Sequence, residues 1–206
     1  MGVKDQREGP DEPPPKGAAA SSSGARERIL EAAYRLFSRH GIHAVGIERV
    51  ISEADVAKAT LYHHFASKDA LVLAFLELRE ERWTYGWLKG EVERRAADPA
   101  QRALAVFDTF DEWFHRPHFE GCSFINTLLE VSDRDNPIHK QTEHHLAVLR
   151  GILESYAEQA GASDPQETGY QLQTLAMGSI VSASRGDVDA ARRARPLVAS
   201  LLASSR

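Results

Sequence analysis

Residues Gly46 to Asp69 read GIERVISEADVAKATLYHHFASKD, and two short helices separated by a tight turn fit this stretch. Ile47, Val50 and Ile51 recur at helical spacing and face inward on the first helix. Asp55 stands at the turn, where the chain needs a left-handed conformation; glycine is commonest there, and aspartate tolerates it better than most residues. Val56 plugs the space between the helices. On the second helix Ala57, Leu61, His64 and Phe65 share the inward face, and Lys58, Ala59, Thr60, Tyr62 and His63 are left outside. A short helix with a small, polar, basic outer face suits the major groove of DNA, because its bulk fits and its donors reach phosphates and base edges. Ser67 then caps a third helix, whose free N–H groups, together with Lys68, suit a phosphate.

Working outward, the pattern stays helical. Ile29, Ala33, Leu36, Phe37 and His40 mark one buried face of an opening helix that Gly41 stops. Residues 1–23, with Pro13-Pro14-Pro15 and Ser21-Ser22-Ser23, have almost no large apolar side chains and read as a disordered arm. Downstream, Asp98-Pro99, Asn136-Pro137 and Asp164-Pro165 each place a capping side chain before a proline that has no N–H to lose. No alternating strand pattern is found. The expectation is an all-α chain of about nine helices, near 24–40, 47–54, 58–64, 68–96, 99–115, 121–132, 137–160, 165–184 and 188–203, with Pro196 kinking or interrupting the last. Residues 24–70 form the helix-turn-helix domain and 71–206 a second helical domain.

Composition restricts the function without naming it. The 206 residues carry a net charge of −5, so nucleic-acid binding has to rest on a local motif. Even from Ser21 to Ala70 the balance is close, with seven basic residues (Arg26, Arg28, Arg35, Arg39, Arg49, Lys58, Lys68) against six acids. No apolar run is long enough for a bilayer, there is no secretory-signal layout, and a single cysteine, Cys122, forbids an intramolecular disulfide. These features read as a cytoplasmic protein. An enzyme is not expected, since G-x-S-x-G, a phosphate-binding Walker loop and H-E-x-x-H are all missing. A protein-binding adaptor that kept the fold and lost DNA binding is the other alternative, given the net charge.

Residues 25–78 resemble the DNA-binding domain of the tetracycline-repressor (TetR) family. The opening helix ends Phe37-Ser-Arg-His-Gly41, and the second helix reads Val56-Ala-Lys-Ala-Thr-Leu-Tyr-His-His-Phe-Ala-Ser-Lys68. The family has Phe-x-x-x-Gly and Val-Ser-Lys-Gly-Thr-Leu-Tyr-x-His-Phe-x-Ser-Lys at these places. The resemblance implies a regulator, more often a repressor, released from a double-stranded DNA operator by a small-molecule effector. It implies phosphate contacts from Lys58, Tyr62 and Lys68, and base-edge approach by Ala59, Thr60 and His63. Tyr62 also fits packing on the next helix, and His64 a core contact. Gly46 stands where the family has a phosphate-touching threonine; Asp55, Ala57 and Ala59 replace Gly, Ser and Gly. These departures bear on the operator sequence rather than the fold.

The resemblance also implies a homodimer through the last two long helices, which fits a reader of two half-sites about 34 Å apart. Small residues (Ala176, Gly178, Ser179, Ala183) and apolar ones (Tyr170, Leu172, Leu175, Ile180, Leu197, Val198, Leu201, Leu202) are available for that seam. A partly apolar effector would suit a cavity lined by Trp83, Trp87, Trp113, Phe114, Cys122 and Phe124, with Asn126, Glu130 and His144 as polar groups. Plain core packing is the competing reading for each aromatic. His139/Glu143 and His115/His118 have metal-compatible spacing, but no complete ligand set is present in sequence. No metal and no cofactor are expected.

Overall fold

The structure, a computed structural model, describes residues 24–205; the expected arm, residues 1–23, lies outside them. Every element among the described residues is helical. Helices α1 (Ala25–His40), α2 (Ile47–Ala54) and α3 (Lys58–His64) form the N-terminal bundle. Its core is Ile29, Ala33, Phe37, Val45, Val50, Leu61 and Phe65, all buried. His40, expected inside, is exposed at the helix end, where Arg49 Nη2 lies 2.9 Å from its Nε2.

Helix α4 (Lys68–Arg79) runs without a break through a π-helical segment (Glu80–Lys89) into α5 (Gly90–Arg95). The sequence predicted one uniform α-helix here. The buried side chains explain the change of pitch. Leu71, Phe75, Arg79, Trp83 and Trp87 are all buried, and Val72, Leu76, Thr84 and Leu88 are buried beside them. A repeat of four drifts one way around an α-helix of about 3.6 residues per turn and the other way around the wider π turn, so α4 followed by the π segment keeps the stripe on the core side.

Asp98 accepts from Ala100 N (3.0 Å) and starts a 3₁₀ turn (Pro99–Gln101) that leads into α6 (Arg102–Phe114). Gly121, at φ 78°, turns the chain into α7 (Ser123–Glu130). Asn136 Oδ1 accepts from Ile138 N (2.8 Å) at the head of α8 (Pro137–Gln159), and Asp164 Oδ1 from Glu167 N (3.0 Å) at the head of α9 (Pro165–Ser184). The capping readings at these three Asx-Pro pairs therefore hold. The last helix, α10 (Ala190–Ser204), passes through Pro196 without interruption. One missing N–H is outweighed by the buried stripe Ala191, Ala194, Val198 and Leu202.

Helices α8 and α9 pack side by side, and α10 lies against α6 and α9. Between the π segment and α6 sits an aromatic core. Trp83 lies 5.6 Å from Trp87 and 5.2 Å from Trp113, and Trp113 4.9 Å from Phe119, ring centre to ring centre. No helix among the described residues is long and apolar enough to cross a membrane.

Candidate functional site

Asp55 ends α2 at φ 50° and ψ 59°, the left-handed conformation the turn requires. This lets α3 cross α2 with Leu61 as its one buried residue. The rest of α3 is left on the surface. Lys58, Ala59, Tyr62, His63 and the capping Gly46 are exposed, with Thr60 and Lys68 half-buried. Tyr62 is 44 % exposed and so is not consumed by packing on the next helix. His64, expected to face inward, is exposed instead, its ring 5.1 Å from that of His63. The short helix ends at His64, so only Leu61 and the following Phe65 reach the core. Ala57, also expected inside, is the exposed residue preceding α3.

Ser67 Oγ accepts from Ala70 N (3.0 Å), fixing the start of α4 beside α3. Lys58 Nζ donates to Glu48 Oε1 at 2.6 Å, and this bond raises the lysine's pKa. A phosphate that takes Lys58 therefore competes with Glu48. Arg35 and Glu53 (3.0 Å) hold α1 to α2, and the Arg26 guanidinium lies 5.3 Å from the Phe65 ring centre.

The family models match this geometry in two parts. Residues 29–75 match "Bacterial regulatory proteins, tetR family", and residues 99–198 match "Tetracyclin repressor-like, C-terminal domain". This chain belongs to the TetR family. Among curated relatives, the HTH-type transcriptional regulator UidR of Escherichia coli K12 is 40% identical over 57 residues, 28% of this chain and 29% of UidR. The HTH-type transcriptional repressor KstR2 of Rhodococcus jostii is 35% identical over 60 residues, 29% of each chain. The alignments thus span under a third of these relatives' length. A TetR-family transcriptional regulator from Streptomyces coelicolor has a solved structure similar along most of the chain, with TM-score 0.78, 29% identity and coverage of 88% of this chain and 95% of that one. A putative TetR-type regulator from Streptomyces avermitilis matches with TM-score 0.78, 29% identity, and 89% and 98% coverage.

The TetR-family C-terminal half scatters the expected effector residues rather than gathering them around one cavity. Trp83, Trp113 and Phe114 are fully buried and Trp87 nearly so, within the ring-to-ring packing described above, while Phe124 is buried against the His145 ring. Cys122 is buried at the start of α7. Asn126 and His144 are exposed. Glu130 turns toward the N-terminal bundle: His43 N donates to its Oε2 at 2.7 Å. At Gly41 the φ of 77° favours glycine, and a Cβ there would push the Glu130 carboxylate aside. Arg79 Nη1 donating to Tyr34 Oη (3.0 Å) and Arg82 bonded to Glu31 tie α1 to the long helix on the same side.

Sequence reasoning missed two features of this half. His145 is buried with Nδ1 2.5 Å from Glu80 Oε2 at the start of the π segment, and stacks near Phe124. A groove of about 450 Å³ opens between the π segment and α8, with Tyr85, Lys89, Ile152 and Tyr156 among its walls. A second, acidic hollow carrying Glu154, Glu158 and Asp164 adjoins it at Gly151 and Ser155. The only sequence signal for the groove was the helical spacing of Gly151, Ser155 and Gln159. Metal-ligating atoms of Asp111, His115 and Asp189 lie within 4.8 Å of one another. Arg192 already offsets one of its two carboxylate charges, hydrogen-bonded to Asp189 with its Nε 3.6 Å from Asp111.

Proposed function

We propose that this protein is a cytoplasmic, homodimeric, sequence-specific DNA-binding regulator, a repressor that a small-molecule effector releases from its operator. Residues 24–70 act as the reading head and 71–206 as the effector-binding and dimerisation part. The observation that carries the reading is the outer face of α3: Lys58, Ala59, Thr60, Tyr62 and His63 stand outward on a helix that buries only Leu61. Lys58, Tyr62 and Lys68 contact phosphates, with the N–H of Gly46 beside them, and Ala59, Thr60 and His63 approach base edges. The name of KstR2 as a repressor supports the repressor sense.

The dimer seam is α9 with α10. Of the residues expected there, Leu172, Ala176, Ser179, Ile180, Ala183, Val198 and Leu202 are buried within the chain itself. What is left for a second copy is an outward strip. Tyr170, Gly178 and Val181 are exposed at helical spacing on α9, and Leu197 is 58 % exposed on α10. A Cβ added at Gly178 meets no atom within 4 Å, which leaves room for a close partner helix. Effector release requires a ligand that binds the non-reading dimer more tightly than the reading one.

Fluorescence anisotropy with labelled DNA from upstream of the protein's own gene tests the reading. Saturable binding that competitor DNA of unrelated sequence fails to displace is expected, with affinity falling steeply as salt rises. Binding that is equal on all sequences, or absent at low salt, sinks it.

A further inference from the structure

Three ligand-bearing side chains converge where α6 ends and α10 begins. Asp111 lies in the last turn of α6, His115 caps that helix, and Asp189 is the residue before α10. One metal-ligating atom from each lies within 4.8 Å of the other two. His118, which sequence spacing paired with His115, is not part of the group.

The histidine is oriented as a ligand would be. Its Nδ1 lies 2.7 Å from the Asp111 carbonyl oxygen, which can only accept, so Nδ1 carries the proton. In the neutral ring the lone pair is then on Nε2, which faces Asp189 Oδ1 at 3.5 Å. Metal-ligating histidines have their other nitrogen tied in this way to a backbone carbonyl or a carboxylate. The separation fits as well. Two donor atoms, each about 2.1 Å from one tetrahedral zinc ion, stand about 3.4 Å apart. A lone pair facing a carboxylate oxygen is repelled by it, and a cation between the two reverses the sign of the contact.

The Asp111 carboxylate supplies an independent observation. Its Oδ1 is enclosed by protein, and no hydrogen bond reaches it among the described residues. An enclosed anionic oxygen without a donor is unfavourable, and a cation is what would satisfy it. Arg192 approaches with its Nε at 3.6 Å, beyond hydrogen-bond range, while the same guanidinium bonds to Asp189. One arginine leaves one of the two carboxylate charges uncompensated. The Arg192 side chain is 62 % exposed, and surface ion pairs of this kind are weak, so it can turn out into solvent when a stronger cation arrives.

We propose that Asp111, His115 and Asp189 bind a divalent transition-metal ion of the zinc type, with Arg192 holding the ion's place in its absence. One imidazole nitrogen and two carboxylate oxygens form a mixed set that suits zinc better than magnesium or calcium, which take oxygen ligands. Water completes the coordination. The bound ion fastens the end of α6 to the start of α10, beside the Arg195–Asp108 pair at 2.7 Å. The site does not depend on operator binding.

Isothermal titration calorimetry of the full chain with zinc chloride near neutral pH tests the site. Saturable one-to-one binding with a roughly micromolar Kd is expected, together with a higher Tm in the presence of zinc. His115→Ala should weaken zinc by about tenfold or more and cancel the rise in Tm, and Asp189→Asn should also weaken it. Arg192→Ala should tighten zinc about threefold, because it removes the competing cation. That gain cannot come from a misfolded variant. Magnesium at millimolar concentration should not displace zinc. No saturable zinc binding up to millimolar concentration overturns the proposal. So does zinc binding that His115→Ala leaves unchanged, which would be an adventitious ion on the other histidines, or an Arg192→Ala variant that binds zinc no better than the natural chain.

Discussion

Helices α3 and α8 distribute their side chains in opposite ways. The seven residues of α3 bury one side chain, Leu61, leave Thr60 half-buried and hold the other five out. The 23 residues of α8 bury nine, among them Ile138, Leu146, Leu149, Leu153 and Tyr156. Packing accounts for most of α8 and hardly any of α3. Where packing does not choose a residue, solvation or a partner does, so the outer face of the short helix is the place to look for function and the long helix speaks mainly about stability. The same contrast separates the reading face from the aromatic cluster of Trp83, Trp87, Trp113 and Phe114.

The strongest way to break this contrast is to truncate the cluster. Trp113→Ala should cost about 3–5 kcal/mol of stability, as expected for emptying an aromatic core position, measured by urea or thermal unfolding. A variant of near-normal Tm would mean that Trp113 lines open space instead. Next comes the seam. Leu197→Glu should convert the dimer to monomer in analytical ultracentrifugation and reduce operator affinity on the order of 100-fold, since a lone head reads one half-site. Retention of the dimer would put the seam elsewhere.

On the reading face, Tyr62→Ala should lower operator affinity about tenfold by removing one phosphate contact, leaving Tm within a degree or so. A large drop in Tm with unchanged affinity would assign Tyr62 to packing. Lys58→Gln should weaken binding by roughly fivefold on every sequence tested and reduce the salt slope by about one, an effect held down by the competing Glu48. An unchanged slope would free Lys58 from any phosphate. Asp55→Gly should give the smallest effect, a gain of about 0.5–1 kcal/mol, because glycine adopts the left-handed conformation without the Cβ clash. A loss of stability would show that the aspartate side chain contributes more than its strain costs.

The legibility of the chain follows the same division. The turn at Asp55, the Ser67 cap and the three Asx-Pro helix starts were readable because each is a local chemical requirement satisfied within four residues. The π segment was not recognised, although the repeat of four from Leu71 through Trp87 was already in the sequence; a search tuned to 3.6 residues per turn averages it away. His64 and His40 were misplaced because both stand at helix ends, where periodicity no longer dictates a face. The aromatics invited a pocket reading that composition could not arbitrate, since a core and a lined cavity draw on the same residues. The grouping of Asp189 with Asp111 and His115 was invisible for a different reason: it lies 74 positions beyond His115, and only tertiary packing brings the three together.

The close approach of Gly41 to Glu130 has a consequence for engineering. Grafting the reading head of one regulator onto the sensor of another is an attractive route to new switches, and the seam would naturally be cut after residue 70. Such a chimera would inherit the turn at position 41 from one parent and the carboxylate at 130 from the other. A donor head with a side chain at 41 would strain the left-handed turn and push the Glu130 carboxylate aside, and a donor sensor without the carboxylate would take the acceptor away from His43 N. One condition on compatibility between parents is therefore a pair of residues 89 positions apart, neither of which touches the operator in the proposed complex.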